Sequence, residues 1–142
     1  MTTQEAGFVV VGVDGSKDSL AALAWAEGFA RATGARLRIV VTWMWPTAYG
    51  YPMMFDGFDP SGEARRIADE AASRLDLPKE QIETRTVEGP AGKALVHESA
   101  DAMTLVVGHH GHRPAADNLL LGSVASYCLH HAAIPTVVVP SR

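Results

Sequence analysis

The sequence predicts an α/β fold, a parallel sheet with helices on both faces. Three observations lead there. Short apolar runs rich in valine recur along the chain, the pattern of strands buried on both faces. Stretches with helical spacing of apolar residues fall between them. The resulting order, β-α-β-α-β-α-β-α-β, requires parallel strands joined by right-handed crossovers. At 142 residues the chain fits one domain, 1–142. A domain of that length buries about 68–70% of its unfolded surface and needs no disulfide or metal staple.

The elements follow in order. Phe8 to Val13 is the first strand, ending in the turn Asp14-Gly15-Ser16. Ser16 is placed to cap the next helix, and Asp18 suits its positive first turn. Ala22, Trp25, Ala26 and Phe29 mark the face of that helix, and Gly34 stops it. Leu37 to Trp43 is the second strand. Met44 to Pro60, rich in Pro, Gly, Met and aromatic residues, reads as a long loop. A second helix runs from Ser61 to Leu75, with Ala64, Ile67, Ala68, Ala71 and Leu75 as its inner stripe. Arg65/Asp69 and Arg66/Glu70 are i,i+4 pairs on its wet side. Gln81 to Val87 alternates as a peripheral strand. Gly89-Pro90 opens a third helix, with the proline in the first turn where its missing N–H costs little. Thr104 to Val107 is the fourth strand, ending at Gly108. The polar segment from Gly108 to Asn118 leads to a fourth helix, Leu119 to His131, with Val124, Tyr127, Cys128 and His131 on one face. Pro135 to Val139 is the last strand.

Composition removes several functions. Twelve Lys and Arg stand against 16 Asp and Glu, a net charge of -4, with no basic block. A nucleic-acid binder usually shows a basic stripe, so none is expected as partner. Cys128 is the only cysteine, which excludes an intrachain disulfide and a cysteine zinc site and suits a reducing compartment. The start, MTTQEA, lacks the apolar core of a signal peptide, and no apolar run reaches 18 residues. No membrane partner is expected, and the localisation expected is cytoplasmic.

In a sheet of this kind ligands bind off the carboxyl ends of the strands, at the switch point. That singles out the loops after strands ending near Asp14, Trp43 and Gly108. In GHHGHRPAADNLLLGS, Gly108 to Ser123, the glycines let a backbone approach a ligand closely. Gly122 and Ser123 lie near a helix start, where N–H groups and a hydroxyl suit phosphate. The same glycines also serve as plain turn residues. There is no GxxxxGK[ST] and no complete GxGxxG. Asp14 can accept a hydrogen bond from an adenine amine or a ribose hydroxyl, or simply form an Asp-Gly turn.

Three pieces together carry a resemblance. They are GVDGS at Gly12 to Ser16, Gly89-Pro90-Ala91 before the third helix, and GxxG…LLLGSVA…HHA leading into the last strand. This pattern, spread from Phe8 to Pro140, resembles the universal stress protein family. The resemblance implies the adenine-nucleotide-alpha-hydrolase-like fold, a five-stranded parallel sheet of order 3-2-1-4-5. Its ATP-binding members use G-x2-G-x9-G-[S/T] for phosphates and ribose. Carried over, Gly108, Gly111, Gly122 and Ser123 surround phosphates and ribose, and Val124 adds a backbone N–H. Asp14 contacts adenine, and Thr42 falls where the family places a backbone contact to the base. The implied cofactor is ATP with Mg2+, and the implied partner is a second copy, joined through Thr136 to Val139. Ten residues, not nine, separate Gly111 from Gly122. A loop absorbs one extra residue at little cost, while Pro114 removes one N–H that would face phosphate.

The remaining chemistry is sparse. His109, His110 and His112 suggest either a metal or solvent-facing side chains. No Asp, Glu or Cys accompanies them at a ligand spacing, so no metal site is expected. His97 to Asp101 imitates HExxH without its second histidine and reads as a solvated helix face. His130 and His131 suit a helix C-terminus, and Cys128 reads as a buried small hydrophobe. Six of the ten aromatics lie between 43 and 58, which suits either a lid over the nucleotide or a patch for a partner. No nucleophile–base pair or Walker lysine is present, and slow ATP hydrolysis would need a positioned water and a divalent ion. The reading is an ATP-binding regulatory module of the stress response. The alternatives are a nucleotide-free dimeric interaction protein using the 43–60 loop, and a slow ATPase.

Overall fold

The fold is taken from a computed structural model that describes residues 7–54, 56–111 and 120–141. The strands are β1 (Phe8–Gly12), β2 (Arg36–Trp43), β3 (Thr47–Ala48), β4 (Tyr51–Pro52), β5 (Ile82–Glu88), β6 (Thr104–Gly108) and β7 (Thr136–Val139). The helices are α1 (Lys17–Thr33), α2 (Pro60–Ser73), α3 (Ala91–Glu98) and α4 (Ser123–His131). Five strands form one parallel sheet in the order β5-β2-β1-β6-β7. Setting the small β3-β4 hairpin aside, this is the expected 3-2-1-4-5.

Alternation along the strands divides the core into two layers. Val9, Val11, Leu37, Ile39 and Val106 pack under Ala22, Leu23, Ala26 and Ala30 of α1 and Ala64, Ala68 and Ala71 of α2. Val10, Val40, Leu105 and Val107 pack under Leu95, Ala102, Ala125 and Cys128 on the α3–α4 side. Small alanines on the helices bring them close to a valine-rich sheet.

The caps act as their residues dictate. The Ser16 hydroxyl accepts from Ser19 N, and Gly34 ends α1 at φ 74° while donating to Ala30 O. Asp59 caps α2 by accepting from Gly62 N. Arg66 pairs with both Glu63 and Glu70, whereas Arg65 and Asp69 form no ion pair among the described residues.

Several local expectations are corrected. Trp25 is 41% exposed and stacks on Phe29 at 5.5 Å. The inner face of α1 runs through Ser19, Ala22, Leu23, Ala26 and Ala30 instead, because alanine fits the close approach. Pro90 stands in the N-cap position of α3, one residue outside the first turn. Helix α4 starts at Ser123 and not at Leu119, which itself lies outside the described residues. Gly122 there is extended (φ -63°, ψ 162°), and its N–H is drawn back to His109 O at 2.8 Å. Of the expected α4 face only Cys128 is buried. Tyr127 is exposed and stacks on His131 at 4.0 Å.

The segment from Met44 is not a featureless loop. Tyr49 and Gly50, both at positive φ (51° and 81°), turn the β3-β4 hairpin. Trp45 meets Trp43 and Phe58 edge-on, each at 6.4 Å. The segment is therefore packed partly on its own aromatics.

Cys128 is fully buried, and burial pushes its thiol up to about 11. Since the thiolate is the nucleophile, a thiol-reactive dye at pH 8 should label the folded protein far more slowly than the urea-unfolded chain. Equal rates in the two states would contradict this placement of Cys128.

Candidate functional site

The crevice opens where β1 and β6 lie side by side and the chain departs in opposite directions, the switch point of an open α/β sheet. A cleft of about 510 Å³ lies there, within the size range of small-molecule sites. Its walls come from the ends of β1, β2 and β6, from Ala91 and Leu95 of α3, and from the start of α4. Asp14, Thr42, Gly108, Gly111, Gly122, Ser123 and Val124 all line it. Residues as far apart in sequence as 14 and 124 thus converge on one concave surface.

Asp14 is held by its own turn. Its Oδ1 accepts from Ser16 N at 2.9 Å, and its N–H donates to Ser19 Oγ at 3.2 Å. Gly111 lies against this carboxylate, where an added Cβ would come within 3.1 Å of Oδ2. Asp14 also borders a smaller cavity of about 260 Å³ against α2, lined by Arg74 and by Arg66, which pairs with Glu63 and Glu70. In the larger cleft no side chain among the described residues caps the N-terminus of α4, and first-turn N–H groups of a helix suit an anion. Thr42 sits near the end of β2, in register with Val87 of β5.

The loop after β6 holds what sequence reasoning missed. His109 and His110 are half-buried rather than solvent-facing, and His112, like Arg113 and Pro114, lies outside the described residues. An acidic neighbour is present after all. Asp18 Oδ2 accepts from His110 N at 2.8 Å and lies 3.5 Å from His110 Nδ1. Its other oxygen accepts from the Ser141 hydroxyl. Burial pushes the Asp18 carboxyl up, but the Ser141 hydroxyl, the His110 N–H and the His110 ring outweigh it and hold it below the usual carboxylate range. Asp18 and His110 are 92 residues apart, so no spacing in the sequence signals their contact. Helix capping gave Asp18 a reason to be there, and its second role was invisible.

The remaining candidates separate cleanly. His97 and Asp101 are exposed, but they share no helix face: α3 ends at Glu98, and Ser99 between them is fully buried. None of the residues from Trp43 to Phe58 lines the cleft, so among the described residues the aromatic segment does not close over it. No helix of the structure is long and apolar enough to cross a membrane.

Comparison with known proteins agrees with this architecture. The sequence profile of the universal stress protein family matches residues 8–140. Universal stress protein Rv2624c of Mycobacterium tuberculosis is 33% identical over 136 residues, an alignment covering 94% of this chain and 48% of that protein. The chain thus spans about half the length of such curated relatives. Among solved structures, a universal stress protein in complex with cAMP is 30% identical, with a TM-score of 0.67 over 94% of this chain and 96% of that one. A universal stress protein from Archaeoglobus fulgidus shares the fold at a TM-score of 0.72 and 22% identity, covering 95% of this chain and 99% of that one.

Proposed function

This chain belongs to the universal stress protein family, and from that premise we propose that it is an adenine-nucleotide-binding regulatory module of the stress response, acting in the cytoplasm. The observation that carries the proposal is the convergence of the seven residues named above on one cleft with an uncapped helix N-terminus. The solved relative at 30% identity is in complex with cAMP, another adenine nucleotide.

The cleft fits such a ligand on chemical grounds. Small residues line the lip: side chains at Gly111 and Gly122 would meet Asp14 and the His109–His110 backbone. N–H groups of Ser123 and Val124 suit phosphate oxygens, and the Ser123 hydroxyl adds a neutral donor. Asp14, beside Gly111, supplies an acceptor for the adenine amine, and the Thr42 backbone borders the base. ATP with Mg2+ is the form proposed, the ion balancing phosphate charge where no lysine does. Chain pairing is proposed through β7, whose outer edge is open at the end of the sheet.

The test is direct. Purified protein is denatured and the released nucleotide identified by mass spectrometry, and thermal unfolding is followed with Mg-ATP, AMP and cAMP. We expect nucleotide near one per chain, or a saturable rise in Tm, weakened about tenfold or more by Asp14→Ala. No nucleotide and no shift at millimolar concentration would sink the proposal.

A second reading has its own observation. The β3-β4 hairpin and the residues just after it display Tyr49 (100% exposed), Tyr51 (75%) and Met54 (74%) outside the cleft. An apolar display of that kind suits a partner protein better than a lid, and failure of the nucleotide test would favour it.

A further inference from the structure

We propose that Asp18, His109 and His110 form a binding site for a borderline transition-metal ion of the Zn2+ class, at the junction of the α1 N-terminus and the loop after β6. One ligand atom from each residue can be chosen so that all lie within 4.8 Å of one another. His109 Nδ1 is 3.1 Å from His110 Nδ1, and that same His110 atom is 3.5 Å from Asp18 Oδ2. Two ligands about 2.0 Å from a tetrahedral zinc stand about 3.3 Å apart. The His110 Nδ1–Asp18 Oδ2 separation is therefore close to that of a coordination shell, whereas the His109 ring, which stands at 82° to that of His110 with its Nδ1 also 3.0 Å from His110 Nε2, has to rotate to bring its lone pair to the same ion.

A separate observation concerns the tautomer. His110 Nε2 lies 2.6 Å from Leu120 O. A carbonyl only accepts, so Nε2 carries a proton and a neutral His110 keeps its lone pair on Nδ1. That nitrogen is the one beside the Asp18 carboxylate. An outer carbonyl fixing the ring of a ligating histidine is the recurrent second layer of metal sites. Without an ion, a neutral His110 leaves two acceptors, Nδ1 and Oδ2, facing each other at 3.5 Å. A positive charge between them resolves this, either a proton on Nδ1 or a metal ion in its place.

The donor set selects the ion. Two imidazoles and one carboxylate suit Zn2+, Co2+ or Ni2+ and are poor ligands for Mg2+ or Ca2+, which prefer oxygen. Three protein ligands leave a fourth position for water or an anion. His109 and His110 also line the cleft proposed for the nucleotide, but none of the three ligands was assigned a nucleotide contact above, and the site is assayed with no nucleotide present.

The experiment uses the whole chain, freed of any histidine tag and stripped with chelator. Zn2+ alone is titrated by calorimetry, and Co2+ by its visible d–d absorption, which separates tetrahedral from octahedral binding. We expect one ion per chain, a tetrahedral-type cobalt spectrum, and a rise in Tm with Zn2+ but not with Mg2+. Asp18→Asn retains an acceptor for His110 N–H and should weaken binding at least tenfold, as should His109→Asn. His130→Gln, on the exposed end of α4, should leave it unchanged. Absence of saturable one-to-one binding, or binding that Asp18→Asn and His109→Asn leave intact, would overturn the site. Circular dichroism on each variant separates lost ligation from lost folding.

Discussion

Gly122→Val is expected to weaken adenine-nucleotide binding about 100-fold or more, some 2.8 kcal/mol, while the sheet stays folded. The reason is steric and local. A Cβ at Gly122 would stand 3.0 Å from His109 O and 3.2 Å from His110 Cα. Valine adds two further methyls at the same point. All the near atoms are backbone, so none can swing aside as a side chain would. Gly122 N–H is also bonded to His109 O at 2.8 Å, and this bond holds the two lips of the cleft together. Forcing them apart displaces the α4 N–H groups from the position proposed for phosphate. The backbone at Gly122 is extended, with φ -63°, so valine meets no conformational penalty. Gly122 gives the helix no side-chain cap to lose, and the stability cost should fall within the range of about 1–3 kcal/mol for overpacking. Calorimetric titration beside urea unfolding checks both halves. Wild-type affinity in Gly122→Val would remove the α4 terminus from the nucleotide proposal. Ser123→Ala, which removes only a hydroxyl, should cost about tenfold or less.

The sheet was legible because its strands are written in valine. Val9 to Val11, Val106-Val107 and Val137 to Val139 are buried or half-buried strand residues in the structure as in the reading. Ser16 and Gly34 marked the ends of α1 by mechanisms that act within a few residues. What escaped depends on distant backbone. The start of α4 is set by a bond from Gly122 to His109, and periodicity in 119–131 carries no trace of it. The turn at Tyr49 places a tyrosine at φ 51°, a conformation that composition gave no reason to expect. Trp25 fits the helical period, yet the face of α1 that meets the sheet is Ala22, Leu23, Ala26 and Ala30, and position 25 turns away from it. The candidate residues of the cleft were found because a family pattern ties together positions that the fold brings together. Asp18 was not, since no pattern links it to His110.

Gly108→Ala should lower the stability of the protein by about 2–3 kcal/mol, the upper part of the range for overpacking. The added Cβ would stand 2.7 Å from the carbonyl carbon of Asp18 and 2.9 Å from both its Cβ and its carbonyl oxygen. Such contacts are shorter than packed atoms tolerate, and the opposing atoms belong to the first turn of α1. That turn is fixed from several sides. The Ser16 cap holds it at Ser19, Asp18 accepts from His110 N, and Ser141 binds the other carboxylate oxygen. Relief therefore requires α1 to lift from β6 or β6 to bend, and either movement opens the fully packed layer that includes Val106 and Ala22. Glycine in α1 itself gives the opposite sign. Gly28 is exposed in mid-helix, and a Cβ there meets nothing within 4 Å. Gly28→Ala should gain about 0.5–1 kcal/mol from helix propensity alone. Urea midpoints of the two variants should thus move in opposite directions from the wild type. An unchanged midpoint for Gly108→Ala would mean that the first turn of α1 slides freely over β6, and then Asp18 would not be held beside His110. Glycine at 108 is in this sense a requirement of packing before it is one of ligand approach. The same close contact brings α1 near enough for its carboxylate to meet the histidines.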